Sequence, residues 1–414
     1  MRLPLQLEEP MPSTDPTFLA SCRTGTRLLH DARHRTEHGE TSDAIFPTSG
    51  FVYDSAEQAE ATFEGTIQHL QYSRYGNPTV DALQDRLALL EGAEACQTTS
   101  TGMGAVSCAL LAHLKAGDRI VASSALFGST HWLLDSLIPS YGIETVMIDG
   151  TNPAAWEEAL SRPAKAVLIE TPSNPMLDVL DIRHIATLAH KAGALFMVDN
   201  VFATPVGQKP LELGADVVIY SCTKHIDGQG RVMGGAILGS QKWITETLQP
   251  FVRNTGNTLS PFNAWVLSKG LETLQLRVEA MARNAARIAD VLGDLPGITA
   301  VRYPGRKDHP QAKLAHTQMS NGGTLIAFTV ANGKKGAFAC LNAFQLIAIS
   351  NNLGDARSLA THPATTTHRK LTQEQRNALG ITDGSIRFSV GLEDAEDLIA
   401  DMRRGAEAAL RAGR

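Results

Sequence analysis

A lysine, two hydroxyls and a glycine-rich segment stand together near the middle of this chain of 414 residues. Ser221-Cys222-Thr223-Lys224 follows Ala215-Asp216-Val217-Val218-Ile219-Tyr220, an apolar run that reads as a buried strand. In open α/β sheets ligands bind beyond the carboxyl ends of the strands, which is where this lysine falls. The chain then passes through His225-Ile226-Asp227-Gly228-Gln229-Gly230 to Gly234-Gly235, glycine enough for a tight loop around a ligand. A primary amine at that position suits a Schiff base to an aldehyde, and the hydroxyls of Ser221 and Thr223 suit a phosphate. Pyridoxal 5′-phosphate needs both. A lysine after a strand is also an ordinary surface residue, so its meaning depends on what else the chain places at strand and helix ends.

Four further groups occupy such ends. Asp199 closes Leu195-Phe196-Met197-Val198, just before Asn200. A carboxylate there can pair with a protonated pyridine nitrogen and keep the ring an electron sink; the alternative is an N-cap aspartate. Ser100-Thr101-Gly102-Met103-Gly104-Ala105 precedes the apolar run 106–114. Small residues opening a helix expose backbone N–H groups, and the helix dipole favours a phosphate there. In Glu170-Thr171-Pro172-Ser173-Asn174-Pro175 two prolines bracket Asn174, whose amide could bond a ring hydroxyl or substrate; a stiff turn is the plainer reading. Arg387 lies in the alternating run Ser385-Ile386-Arg387-Phe388-Ser389-Val390-Gly391. It could capture a carboxylate with two parallel hydrogen bonds, or serve a structural salt bridge.

The elements that must position these groups show in the hydrophobic pattern. Within 79–90, Val80, Leu83, Leu87 and Leu90 recur at helical spacing, and Glu91-Gly92 closes the helix. Strand-like runs at 118–122, 144–148, 166–170, 194–199 and 216–220 follow, with helices expected near 131–140, 153–161 and 182–192. This alternation predicts a largely parallel sheet covered on both faces. After about 262 the pattern changes. A long helical stretch at 264–291, whole or broken, leads to strands expected at 324–330, 346–349 and 385–390 and to a terminal helix. That helix starts acidic and carries Arg403, Arg404 and Arg411 toward its end, in agreement with the helix dipole. A smaller α+β domain is expected here. The first sixty residues read as an irregular arm with a turn at Pro47-Thr48-Ser49-Gly50, suited to packing on a partner subunit.

Composition excludes several function classes. A net charge of −6 with no Lys/Arg-rich run gives no footprint for nucleic acid, and 6% aromatic content gives no base-stacking surface. No run approaches 18 uninterrupted apolar residues, so no membrane span is expected, and no secretory signal is visible in residues 1–17. Cys22, Cys96, Cys108, Cys222 and Cys340 lack CxxC spacing, so neither a disulfide framework nor a metal site is expected. A cytoplasmic protein fits this usage.

Taken together, the motifs resemble the Cys/Met-metabolism family of pyridoxal-phosphate enzymes over about residues 40–400. The resemblance rests on Tyr72-Ser73-Arg74-Tyr75-Gly76-Asn77-Pro78-Thr79, Ser100 to Ala105, Glu170 to Pro175, Val198-Asp199-Asn200, Ser221 to Lys224 and Ser385 to Gly391. It implies fold type I, the aspartate-aminotransferase-like architecture. The implied division is an arm at 1–62, a cofactor domain at 63–263 and an α+β domain at 264–414. It further implies that Lys224 forms the Schiff base and Asp199 pairs with the pyridine nitrogen. Gly102, Met103, Ser221 and Thr223 would hold the phosphate. Phe127 would stack on the ring, and Asn174 would lie beside it. Tyr72 and Arg74 would reach the phosphate of a neighbouring subunit, in a dimer at least and a tetramer typically. Arg387, Asn352 and Asn174 would face the substrate.

Departures from the family pattern narrow the expected activity. Many members carry a tyrosine where this chain has Phe127, so a tyrosinate base is excluded and Lys224 is left to move protons alone. Methionine γ-lyases usually carry a cysteine where this chain has Ser129. Asn352-Leu353-Gly354-Asp355 and the segments Ile226 to Arg231 and Ser49 to Tyr53 are similar to the sulfhydrylase branch that uses O-succinylhomoserine. The implied reaction is γ-replacement by sulfide, giving homocysteine and succinate. The acetyl-ester sulfhydrylases and cystathionine γ-synthase are the alternatives, and a catalytically inert scaffold would have lost Lys224 or Asp199. Arg357 is a candidate for the distal succinyl carboxylate.

Overall fold

The computed structural model describes residues 16–30, 36 and 38–413. The arm expected at 1–62 therefore falls partly outside the described residues, at 1–15, 31–35 and 37.

The strand runs are short and apolar because both faces of the first sheet are covered. That sheet comprises β1 (Ala95–Thr99), β2 (Arg119–Ser123), β3 (Glu144–Ile148), β4 (Ala166–Glu170), β5 (Leu195–Asp199), β6 (Val217–Ser221) and β7 (Gly235–Gly239). Its order is β1-β7-β6-β5-β4-β2-β3. Neighbours from β6 through β3 pair in parallel, whereas β7 runs against both β6 and β1. Successive side chains of a strand point to opposite faces. In β4, Ala166 and Leu168 pack in one cluster with Val106 and Leu110 of the Gly102–His113 helix. Val167 and Ile169 pack in another, with Ile182, Ile185 and Ala189 of the Ile182–Lys191 helix. Phe196 has no solvent exposure on that second face, and truncating it to alanine would cost about 3–5 kcal/mol.

Three sequence expectations are corrected here. Strand β1 was not foreseen because Ala-Cys-Gln-Thr-Thr has no apolar alternation. Strand β7 is an apolar triplet between glycines, which read as the end of a ligand loop. Its glycines have a packing reason: a Cβ on Gly235 would lie 2.5 Å from the Thr99 hydroxyl. The helix expected at 131–140 is longer, running from Gly128 to Ser140 with a π-helical turn at Leu133–Leu137.

The helical stretch at 264–291 is broken into Pro261–Leu271 and Leu274–Gly293. Arg277 sits just after the break and donates to the carbonyls of Gly270, His225 and Ile226, tying both helices to the loop after Lys224. Gly228 in that loop has φ +68, and any Cβ on it would collide with the Arg277 guanidinium. A glycine is required there.

A second sheet follows, made of β8 (Ile298–Arg302), β9 (Leu325–Val330), β10 (Ala348–Ile349), β11 (Leu359–Thr361) and β12 (Ser385–Ser389). Its order is β10-β11-β12-β9-β8, antiparallel except for the β10–β11 pair. Ile326, Phe328, Ile386 and Phe388 point from it into a core shared with the Leu274–Gly293, Gly333–Ala343 and Ala395–Arg411 helices. No helix among the described residues is long and apolar enough to cross a membrane.

Candidate active site

The chain leaves β2 for β3 at the sheet edge, then returns on the far side of β2 to form β4. That reversal opens a crevice beyond the carboxyl ends of β2 and β4, the place where doubly wound sheets bind ligands. Phe127 lies after β2, Glu170 and Asn174 at and after β4, Asp199 at the end of β5, and Ser221 and Lys224 at and after β6.

Lys224 is half-buried, and its Nζ donates to Asn352 Oδ1 at 2.6 Å. Burial, helped by the nearby Arg387 guanidinium, pulls its pKa down to about 8. An amine so placed is still mostly protonated near physiological pH but has about a fifth of its population neutral, far more than an ordinary lysine, and that fraction can act as nucleophile and base. Asn352 is thus beside the lysine amine.

Asp199 accepts the Val201 N–H at 3.1 Å. It caps no helix, since the next one starts at Thr204 with Ala203 as its cap. Burial raises its pKa to about 7, and it has one hydrogen bond where a carboxylate can accept four. Asn200, behind it, is fully enclosed and donates to Tyr220 Oη, which donates to Glu91 Oε2 at 2.6 Å. Burial raises Glu91 to about 7. Gln208 joins this network to the Thr171 carbonyl. The sequence signal for it was slight: isolated polar residues in apolar surroundings.

The start of the Gly102–His113 helix and the end of β6 are joined by close approach. Thr101 caps the Gly102–His113 helix by accepting the Gly104 N–H at 2.9 Å. A Cβ on Gly102 would lie 2.5 Å from both Cβ and Oγ of Ser221, so only glycine lets the helix start reach that hydroxyl. Met103, half-buried, receives the Thr130 hydroxyl at its sulfur, 3.8 Å away. The Thr223 hydroxyl accepts the Gly234 N–H at 3.1 Å, holding the returning glycine segment over the site. An anion at this helix start would meet backbone N–H groups, a positive dipole end and a hydroxyl, which fits a phosphate monoester.

Arg387 is buried, and its partners are neutral: Asn174 Oδ1 at 3.0 Å and the Asn351 carbonyl at 2.8 Å. It forms no salt bridge among the described residues, so the structural ion-pair reading is not what the fold builds. A buried guanidinium held by neutral acceptors keeps its charge for an incoming carboxylate. His368 packs nearby; burial, then Arg387, pulls its pKa to about 4, and its Nε2 has no partner.

Phe127 is 36% exposed, and its N–H donates to Glu170 Oε2 at 2.7 Å. Glu170 belongs to a motif visible in the sequence, yet no role was read for it. The signal was there: two neighbouring apolar strands, β4 and β5, both end in a carboxylate.

Tyr72 and Arg74 stand apart from this cluster. Tyr72 bridges to Gly50, and Arg74 donates to the Arg253 carbonyl and lies over the Tyr75 ring. Arg357, the candidate for a distal carboxylate, is exposed five residues beyond Asn352, its N–H donating to Asp355.

This arrangement has counterparts. A family model described as Cys/Met metabolism PLP-dependent enzyme matches residues 25–407. An O-succinylhomoserine sulfhydrylase of Mycobacterium tuberculosis is 52% identical over 374 residues, 89% of this chain and 92% of that protein. One of Pseudomonas aeruginosa is 44% identical over 383 residues, 92% of this chain and 95% of that protein. A cystathionine γ-synthase structure from Xanthomonas oryzae, with aminoacrylate and cysteine bound, superposes with a TM-score of 0.90 at 36% identity. The match covers 94% of this chain and 99% of that one. This chain therefore belongs to the Cys/Met-metabolism family of pyridoxal-phosphate-dependent enzymes, of fold type I.

Proposed function

We propose that this enzyme exchanges the succinyl ester of O-succinylhomoserine for sulfide, forming homocysteine and releasing succinate. The observation that carries the reading is the 52% identity to an O-succinylhomoserine sulfhydrylase over nearly the whole chain. The site geometry supports the chemistry it requires.

Pyridoxal phosphate, when bound, withdraws electrons from the substrate's α carbon and so acidifies its α and β protons. The remaining work falls to the chain. Lys224 Nζ would hold the cofactor through its aldehyde and, once the substrate amine displaced it, would serve as the base. It would take the α proton, give that proton up to the bound cofactor, and then, neutral again, take the β proton, so that the electron pair left behind would expel succinate from the γ carbon. Hydrosulfide would form the new C–S bond at that carbon, and Lys224 would carry the protons back one at a time in the reverse order. Phe127 has no phenol to share this traffic. Asp199 would pair with the ring nitrogen, Ser221, Thr223 and the Gly102–Met103 backbone would hold the phosphate, and Asn174 would lie beside the ring. Arg387 would bind the substrate α-carboxylate, with Asn352 and Asn174 beside it.

A working unit of at least two copies belongs to this reading, with dimers pairing into a tetramer. Val52, Phe63, Tyr72, Tyr75, Met233 and Phe262 are exposed apolar side chains that a second copy would cover. Tyr72 and Arg74 would then complete the neighbour's phosphate site. The two sheets support the division into a cofactor domain at 63–263 and an α+β domain at 264–414. Five free thiols suit a cytoplasmic location.

The test compares kcat/KM for O-succinyl- and O-acetylhomoserine with sulfide, and then with cysteine as nucleophile. The succinyl ester with sulfide should be the best pair. Faster turnover with cysteine would make the enzyme a cystathionine γ-synthase, and preference for the acetyl ester would reassign the donor.

A further inference from the structure

Glu170 and Asp199 occupy directly paired positions on the parallel strands β4 and β5. Adjacent strands lie about 4.8 Å apart, and paired residues project to the same face, so the two carboxyl groups emerge side by side. Glu170 is 3% exposed. No cation pairs with either group among the described residues, and the nearest guanidinium, Arg387, is held by Asn174 and Asn351. Two carboxylates in that relation, Glu170 buried and Asp199 half-buried, cannot both ionise without a cost.

Glu170 also makes a bond that neither strand supplies. Its Oε2 accepts the Phe127 N–H at 2.7 Å, across the reversal between β2 and β4. The backbone that carries Phe127 is thus fastened to the strand beside Asp199.

We propose that Glu170 is a positioning residue that stays protonated beside Asp199 and anchors Phe127, leaving Asp199 as the single anion facing the cofactor ring. The proposal rests on the cofactor-site reading given above. Its consequence reaches both ends of the site. A neutral Glu170 leaves the negative charge on Asp199, where a pyridinium can use it. It also leaves Arg387 without an anionic competitor to the substrate carboxylate. The charged groups that act on it are Asp199 on β5 and Arg387 on β12. Burial and the Asp199 charge push Glu170 well above the usual carboxylate range, in agreement with the packing.

Glu170→Gln keeps the shape and an acceptor for the Phe127 N–H but cannot ionise. Glu170→Ala removes both. The holoenzyme and both variants are titrated for the pH midpoint of the cofactor's long-wavelength absorbance, and cofactor affinity is measured by equilibrium dialysis. Glu170→Ala should lose about ten-fold in affinity for pyridoxal phosphate, the scale of one buried hydrogen bond to a charged or polar acceptor, and Glu170→Gln should restore it. The absorbance midpoint of Glu170→Gln should match the wild type. A shifted midpoint, or failure of glutamine to restore affinity, would overturn the proposal.

If Glu170→Ala does not fold, infrared difference spectra of the wild type and Glu170→Gln decide the matter. A protonated-carboxyl C=O stretch at neutral pH should vanish in Glu170→Gln, and its absence from the wild type would refute the assignment. These readouts need no turnover. An enzyme inactive on O-succinylhomoserine would refute the proposed reaction and leave the Glu170 assignment to stand or fall by spectrum and affinity.

Discussion

Asp199 and Asp401 are aspartates held in two cores of the same chain, and the fold treats them in opposite ways. Asp401, on the Ala395–Arg411 helix, is 1% exposed and fully supplied. It accepts the backbone N–H groups of Gln345, Leu346 and Ile347 and the Arg404 guanidinium. Among the described residues the Asp199 side chain accepts a single N–H, pairs with no cation and lies beside a second carboxylate. The same contrast separates the arginines: Arg86 forms a two-pronged ion pair with Asp43, whereas Arg387 rests on neutral oxygens. Where a charge serves the fold, the chain satisfies it. At the crevice it leaves bonding capacity open, at a cost to stability, and a ligand of opposite charge completes the set.

Replacing the crevice groups should destroy function with little structural loss, and replacing their satisfied counterparts should do the reverse. The largest effect is expected at Lys224. Lys224→Ala should lower kcat by about 10³-fold or more and abolish the cofactor's lysine-dependent absorbance band, with thermal stability close to wild type. Retention of that band would break the assignment.

Next come the aspartates. Asp401→Asn should destabilise the protein by about 2–3 kcal/mol in denaturant melts, because several buried N–H groups and Arg404 lose part of their acceptor. Asp199→Asn should weaken cofactor binding, read by dialysis, by about a hundred-fold without that loss. Equal destabilisation by the two substitutions would erase the contrast between them.

At Arg387 the expected effect is smaller. Arg387→Lys keeps the charge but not the planar fork, so KM for the acylhomoserine should rise about ten-fold while kcat changes less. A wild-type KM would remove this residue from the substrate site. The smallest effect is a pH dependence. Lys224 is a lysine whose pKa is drawn down to about 8, so the neutral amine accumulates as pH rises through that value. The rate at which cofactor-free protein takes up pyridoxal phosphate should climb over the same interval, measured by stopped-flow absorbance. A flat profile would place the amine outside this description.

Much of this site could be read from residue types alone because its groups sit at the ends of apolar strands. Lys224, Asp199 and Asn174 each follow a run whose burial is plain in the sequence. The strands that escaped notice lack that pattern. β1 is polar, β7 is framed by glycines, β11 spans three residues and β8 is a half-exposed edge strand. What pairs with what was less legible than what is present. The neighbouring of Glu170 and Asp199 depends on strand register, and the neutral partners of Arg387 come from loops about 40 and 210 residues away in the chain. Phe127 was visible as a ring without a phenol, but its anchoring by Glu170 requires the β2–β4 reversal.

The central claim is that the chain leaves Asp199 unsatisfied on behalf of a cationic ring. Its folded-state pKa, about 7, lies above the unfolded value of about 3.9. The folded protein therefore holds a proton that the unfolded chain has lost, and stability falls as pH rises from about 4 through about 7. Asn cannot titrate and escapes that fall. Thermal melts of cofactor-free wild type and Asp199→Asn, compared from about pH 5 to pH 8, measure the difference directly. The melting-temperature difference should shift in favour of Asp199→Asn as pH rises, and saturating pyridoxal phosphate should turn it back toward the wild type. Parallel melting curves at every pH would contradict the account.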